Sequence, residues 1–322
     1  TDQFQSAFSW IKNRDATDSN MWFDRVRGAT KDLHSDSTAA QVTNVNTVQR
    51  FLEAGVQVGN DVQVNTANES YVLWNWMMEA TGSGTLNEVG SIDSTVLVDT
   101  TLGMSVGTYT GTGNNATIGH GLGVAPEMVL VKSVDSSYGW YVYHVGLTAN
   151  TYYLRLDTLA AQSSGGATIF NSTTPTSTVF SVGTNSEVNS AIEFSFMAFA
   201  PSQFISIGSY EGNGNVDGAF APLLNSLGIP IQPIAFFTKN ADGSNNWDMR
   251  DTSRNPYNPT RNNLQPSTSG AEYVGTDYVD IVTGGLKIRT SSANLNGSAK
   301  TIVYFAIGTP MIDTDGRIIA GK

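Results

Sequence analysis

The sequence predicts an all-β protein built from tandem antiparallel β-sandwich domains of jelly-roll type. Only 14% of the residues are charged and 32 are glycine, whereas ordinary soluble domains carry about 25% charged residues. Glycine, serine, threonine and asparagine weaken helices and favour turns. Apolar stretches are short and alternate with polar residues at period two, as in residues 192–196. This alternation is typical of strands with one buried face.

A repeat accounts for most of the chain. Three lysines each end an apolar stretch, and each is followed twelve residues later by a polar side chain. The pairs are Lys12 with Asp24, Lys132 with His144, and Lys239 with Asp251. Residues 40–41, 161–162 and 271–272 also align, as do closing apolar strands at 71–77, 192–199 and 301–307. The sequence therefore predicts three copies of one domain.

The domain boundaries follow from the repeat. We expect a first β domain at 1–79, a linker rich in small polar residues at 80–102, a second β domain at 103–201, a third at 202–311 and a tail at 312–322. A Gly-x-Tyr-x-Gly-x-Gly strand opens the second and third copies but not the first. Either the chain begins inside the first domain, which we favour, or a neighbouring chain supplies the missing strand to cover an open edge.

These motifs together resemble a known family. The opening Gly-x-Tyr-x-Gly-x-Gly, the Gly-Leu-Gly-x-x-Pro at 121–126, the apolar strand ending in lysine, the tryptophan and the Asp-x-x-Arg motif resemble the repeated domain of marine and other bacteriophage virion structural proteins. The second copy departs from the pattern, with His144 and Leu147 in place of Asp and Arg. The resemblance implies a non-enzymatic tail-fibre or surface-appendage protein on the virion. It also implies contacts with other virion proteins and adhesion at a surface, for which a host glycan is the expected receptor. We predict a homo-oligomer, such as a trimer, because fibre proteins need symmetric contacts and an open first domain needs cover.

Composition restricts the partners. The net charge of −11 repels nucleic-acid phosphates, so we expect no nucleic-acid partner. The apolar runs are too short for a bilayer span, so we expect no membrane insertion. With no cysteine, zinc–thiolate and thiol chemistry are excluded.

Motifs for catalysis and cofactor binding have simpler explanations. Residues 103–107 match the Gly-x-Ser-x-Gly nucleophile motif, but no helix-forming sequence follows, as that motif requires. Residues 111–116 imitate a dinucleotide fingerprint and again lack the helix. The three histidines occupy unrelated repeat positions. We therefore expect no catalytic residue, no cofactor and no metal.

The densest aromatic cluster is the candidate glycan or receptor site: Tyr138, Trp140, Tyr141 and Tyr143, with Trp247 at the equivalent of Trp140. Aromatic faces stack on sugars, although core packing is the alternative. Adjacent residues of a strand face opposite sides, so we expect at least one of Trp140, Tyr141 and Tyr143 to be exposed or at an interface.

The Asp-x-x-Arg motifs are candidate ion pairs. Asp24 with Arg27, and Asp251 with Arg254, have the spacing for a bidentate fork within a loop. Because the spacing recurs between copies, we favour a structural ion pair over a ligand site for a sugar or carboxylate.

Three functions remain open. The first is a virion structural protein whose β domains stack in a line or whose chains assemble around a fibre axis. The second is a carbohydrate-binding adhesin or lectin. The third is a polysaccharide depolymerase, which needs two carboxylates at a fixed separation.

Overall fold

A computed structural model describes residues 4–79 and 82–312. The fold is all-β and of sandwich type, built from antiparallel sheets, as predicted. None of the helices in these ranges has the length and apolarity to cross a membrane. Most of the predicted tail, residues 313–322, lies outside the described residues.

The elements are short strands with one helical turn in each copy. Those of the first copy are β1 (Gln5–Asn13), β2 (Met21–Asp24), β3 (Lys31–His34), β4 (Val42–Thr43), β5 (Val48–Leu52), β6 (Gly55–Val58), α1 (Val62–Asn65) and β7 (Tyr71–Met78). Those of the second are β8 (Thr85–Asn87), β9 (Ser94–Asp99), β10 (Met104–Thr110), β11 (Ala116–Gly119), β12 (Met128–Ser133), β13 (Trp140–His144), β14 (Leu154–Arg155), α2 (Gly166–Ile169), β15 (Val179–Val182) and β16 (Glu193–Phe199). Those of the third are β17 (Ile205–Glu211), β18 (Phe220–Pro222), β19 (Ile231–Asn240), β20 (Trp247–Asp251), β21 (Thr260–Asn263), β22 (Tyr273–Val282), β23 (Gly285–Ile288), α3 (Ala293–Asn296) and β24 (Thr301–Pro310).

One main sheet is built three times. The strand order that all three copies share is β2-β1-β7 in the first copy, β13-β12-β16 in the second and β20-β19-β24 in the third. A fourth strand lies beside β16 and β24, namely β10 in the second copy and β17 in the third. The pairing register also repeats. The residue two positions before each repeat lysine lies in the middle strand of three and has one partner on each neighbouring strand. These sets are Trp10 with Trp22 and Trp74, Leu130 with Val142 and Met197, and Phe237 with Met249 and Phe305.

The segment predicted as a linker is part of the second sheet. β8 and β9 extend that sheet beyond β10, so the prediction is wrong for the described residues 82–102. Val96 and Leu97 are both buried, on opposite faces of β9 and in two different apolar clusters. Burial on both faces makes this segment a strand despite its small polar residues.

The three copies close into a ring. The same backbone hydrogen bond joins each copy to the next, from the second residue of each aligned Ala-Gln or Ala-Glu pair to the carbonyl two residues after a repeat lysine. The bonds run from Gln41 to Val134 (2.8 Å), from Gln162 to Ala241 (2.7 Å) and from Glu272 to Arg14 (2.8 Å). Because the third copy bonds to the first, the expectation of stacking in a line is wrong for these copies.

A shared apolar core explains the ring. One face of each main sheet packs onto a central cluster that includes Trp10, Leu130 and Phe237, around a void of about 30 Å³. The opposite faces of the sheets pack against separate outer clusters, one behind each copy. Each apolar inner face needs two neighbours to cover it, which three copies in a ring provide and a linear stack does not.

Candidate binding site at an open sheet edge

The repeat lysines stabilise loops. All three are buried. Each ammonium donates to two backbone carbonyls, those of the first and the fourth residue after the lysine. In the third copy these bonds join Lys239 Nζ to Asn240 (2.6 Å) and Gly243 (2.9 Å). Burial lowers the pKa of each lysine to about 8. Their ammonium groups therefore serve the fold and are not available to a ligand.

Both Asp-x-x-Arg ion pairs form, with matching geometry. Asp251 accepts from the Arg254 backbone N–H (2.8 Å) and from Arg254 Nε (2.6 Å). Arg27 makes the same two contacts to Asp24. The side chains of both arginines are only 3% exposed, which leaves no open guanidinium face for a sugar or carboxylate at either pair.

Arg254 also helps to connect the third copy to the first. Arg254 Nη1 donates to Glu272 Oε2 (2.7 Å), and Glu272 in turn accepts from Arg14 of the first copy (2.7 Å). The Arg254 guanidinium lies 5.3 Å from the ring centre of Trp74, again in the first copy. The third copy is thus joined to the first by a buried charge network as well as by backbone.

His144 takes the place of the aspartate in the second copy. Its Nδ1 accepts from the Gly146 backbone N–H (3.0 Å), and its Nε2 lies 3.1 Å from the Tyr304 carbonyl of the third copy. Nε2 therefore carries the proton and donates to that carbonyl. Burial lowers the pKa of His144 to about 4, so the imidazole is neutral near pH 7 and joins two copies without an ion pair.

The predicted glycan-binding aromatics lie inside the protein. Trp140, Tyr141, Tyr143 and Trp247 are at most 4% exposed, and only Tyr138 is half-buried. None of the β13 aromatics is exposed, because β13 has a core on each side, but Trp140 lies at an interface, where it contacts the first copy. Trp140 faces the central cluster, whereas Tyr141 and Tyr143 face the outer cluster of the second copy.

The two tryptophans hold copies together. Trp140 Nε1 donates to the His34 carbonyl of the first copy (2.8 Å), and Trp247 Nε1 donates to the Arg155 carbonyl of the second (2.9 Å). Asn20 occupies the equivalent position in the first copy, and its amide donates to the Thr268 carbonyl of the third (2.8 Å). This position therefore joins each copy to the preceding one, which the alignment of the tryptophans alone did not reveal.

A groove lies along β7, at the place where the other two copies have their opening strands β10 and β17. β16 is paired on one side with β12 and on the other with β10, and β24 is paired with β19 and β17. Within residues 4–79 and 82–312, β7 is paired with β1 alone. We call its other side the open edge. The open-edge groove has a volume of about 410 Å³.

The groove is lined mainly by the first and third copies, with Leu102 as the contribution of the second. β7 forms one wall, and residues that include Ile234, Asp251 and Ile307 form the other. Leu73 and Ile234 are 42% and 49% exposed, although they line the same groove as the buried Trp74 and Trp76. An unpaired strand edge beside an apolar groove can add a further strand through backbone hydrogen bonds, with side-chain pockets selecting its sequence.

Comparisons with known proteins identify a family. The family model described as Domain of unknown function (DUF7483) matches residues 1–309. No curated protein and no solved structure matches the chain.

Proposed function

The chain belongs to the DUF7483 family, and we propose that it is a non-enzymatic structural protein of a bacteriophage virion, such as part of a tail fibre or surface appendage. The closed ring of three β repeats is the observation that carries this proposal. A ring with one central core and three outer cores is a well-packed unit suited to a structural part of a particle.

The charged and aromatic side chains support a structural role. The repeat lysines, both Asp-x-x-Arg pairs and the tryptophans at the Trp140 position all make contacts within or between copies. The same contacts recur from copy to copy, which is expected of residues retained for architecture. The motif likeness to phage virion proteins supplies the biological setting.

This proposal includes self-association as a homo-oligomer, contacts with other virion proteins and a position on the particle surface. Adhesion to a host glycan remains part of it, but at residues other than Trp140, Tyr141, Tyr143 and Trp247, whose rings are covered. The lectin alternative loses the same residues.

Labelling of intact particles tests the proposal. An antibody raised against the folded chain is applied, with a gold conjugate, to virus particles purified from the source of the sequence. We expect gold at a regular position on the particles, and peptides of the chain in their mass spectrum at a fixed stoichiometry. Labelling confined to the particle-free fraction, or cleavage of a polysaccharide by the purified chain, would refute it.

A further inference from the structure

The open edge of β7 has two internal counterparts that show what belongs there. Against β16 lies β10, with the sequence Met-Ser-Val-Gly-Thr-Tyr-Thr. Against β24 lies β17, with the sequence Ile-Ser-Ile-Gly-Ser-Tyr-Glu. Both strands run antiparallel to their partners in the same register, so the pattern shared by the two occupants is apolar-Ser-apolar-Gly-x-Tyr.

The register carries this pattern onto β7. Because Trp74 is equivalent to Met197 and Phe305, the first and third occupant positions fall opposite Trp76 and Trp74. In the other copies these positions hold Met104 and Val106, or Ile205 and Ile207, which pack into the central cluster. At β7 they would enter the open-edge groove between the first and third copies.

The glycine of the pattern has a steric reason in both counterparts. A Cβ on Gly107 would lie 2.7 Å from the Phe196 ring, and one on Gly208 would lie 2.8 Å from Tyr304 Oη. The equivalent side chain on β7 is that of Leu73, which is 42% exposed. An added strand with glycine at this position would cover Leu73.

The tyrosine of each opening strand and a backbone N–H just after it donate hydrogen bonds to two neighbouring residues of the same copy. Tyr109 Oη donates to the Val188 carbonyl (2.6 Å) and Tyr210 Oη to the Leu295 carbonyl (2.7 Å). The asparagine that follows each carbonyl then accepts a backbone N–H beyond the strand. Asn189 Oδ1 accepts from Thr112 (2.7 Å), and Asn296 Oδ1 accepts from Asn213 (2.9 Å).

The first copy holds the equivalent asparagine in the same pose. The amide of each asparagine donates to the carbonyl six residues earlier, from Asn189 to Gly183 (2.7 Å), from Asn296 to Thr290 (2.8 Å) and from Asn65 to Gly59 (2.7 Å). Asn189 and Asn296 are fully buried under their opening strands, whereas Asn65 is exposed. Asn65 Oδ1 is therefore the counterpart of Asn189 Oδ1 and Asn296 Oδ1, which accept a backbone N–H just after the opening strand in the other copies.

We propose that the open-edge groove is a receptor for one added β-strand of the pattern apolar-Ser-apolar-Gly-x-Tyr, donated by a polypeptide segment outside residues 4–312. The strand pairs antiparallel with β7, places its two apolar side chains in the groove and its tyrosine near the Val64 carbonyl, and donates a following N–H to Asn65. This receptor role is independent of whether the protein belongs to a virion.

A labelled peptide tests the receptor. The probe is a fluorescein-labelled synthetic peptide with the sequence of residues 104–113, and its anisotropy is titrated with the purified chain. A peptide of the same composition in scrambled order is the control. We expect saturable 1:1 binding of the first peptide only, together with slowed amide hydrogen exchange confined to residues 71–78 of the chain. No binding, or equal binding of both peptides, overturns the proposal.

Two matched pairs of variants locate the site. Ile234→Arg places a charge in the groove wall, and we expect peptide affinity to fall about tenfold or more, because the bound strand would desolvate that charge. Val216→Arg changes an apolar residue that is 72% exposed and does not line the groove, so we expect unchanged affinity. Asn65→Ala should weaken binding about fivefold by removal of one hydrogen-bond acceptor, whereas Asn60→Ala, at an exposed asparagine nearby, should not.

Light scattering of the chain without peptide identifies a competing occupant. We expect the self-association state to be the same for the unaltered chain and Ile234→Arg. A dimer that Ile234→Arg dissolves would mean that a second copy fills the groove, and would overturn the proposal. Thermal unfolding of every variant shows whether it folds, and the scrambled-peptide comparison needs no variant.

Discussion

Substitution of Arg254 by methionine tests the charge network that closes the ring. Methionine keeps much of the arginine stem but removes the guanidinium. The lost contacts are those to Asp251 Oδ2 (2.6 Å), Glu272 Oε2 (2.7 Å) and the Met249 carbonyl (3.0 Å). The side chains of both carboxylates are less than 10% exposed, so water cannot readily replace the cation.

The expected loss of unfolding free energy depends on the hydrogen-bond partners that each carboxylate retains in the variant. Removing one partner of a buried ion pair costs about 3–5 kcal/mol. Glu272 retains Arg14 and Asn262, and Asp251 retains the backbone N–H of residue 254 and Trp74 Nε1. We therefore expect the lower end, about 3 kcal/mol of lost unfolding free energy.

Urea unfolding followed by tryptophan fluorescence measures this loss. With an m value of about 3 kcal/mol/M, the midpoint should fall by about 1 M. Arg289→Met is the control, because Arg289 also contacts two carboxylates, Asp280 and Asp217, but is 44% exposed. Its loss should cost at most about 1 kcal/mol. Equal effects of the two substitutions would refute the idea that the buried network stabilises the ring.

Two further predictions concern pH. His144 has a folded pKa of about 4 against about 6.5 when unfolded, so stability is lost as pH falls from about 6.5 towards 4, by up to about 3 kcal/mol. Urea unfolding of His144→Gln should lack this component, and parallel pH curves for variant and parent would contradict it. Lys239 has a folded pKa of about 8, below its unfolded value, so its burial penalty is relieved as pH rises above about 8. Between about pH 8 and pH 9.5 the parent should gain about 1–2 kcal/mol relative to Lys239→Met, and an unchanged difference would show that the lysine does not titrate there.

Local sequence was sufficient for the fold class and the repeat. Alternation at period two and turn residues are properties of neighbouring residues, so the strands around Lys12, Lys132 and Lys239 could be placed from sequence. The Asp-x-x-Arg spacing likewise predicted a contact within one loop, and both pairs form. The repeat also showed that the Gly-x-Tyr-x-Gly-x-Gly segment occurs in the second and third copies of the printed sequence, and this signal pointed to the groove beside β7.

Tertiary structure alone decided which surfaces remain open. The sequence does not show whether the Trp140 side of β13 faces solvent or another part of the protein. It is covered because the region around His34 of the first copy, more than a hundred residues earlier in the chain, packs over it. Residues 94–99 lie in the segment predicted as a linker, but they form β9, whose Val96 and Leu97 are buried on opposite faces of a sheet. The groove needs Ile234 of the third copy beside Leu73 of the first. Burial depends on contacts between distant parts of the chain, and these exist only once the three copies have closed around their common core.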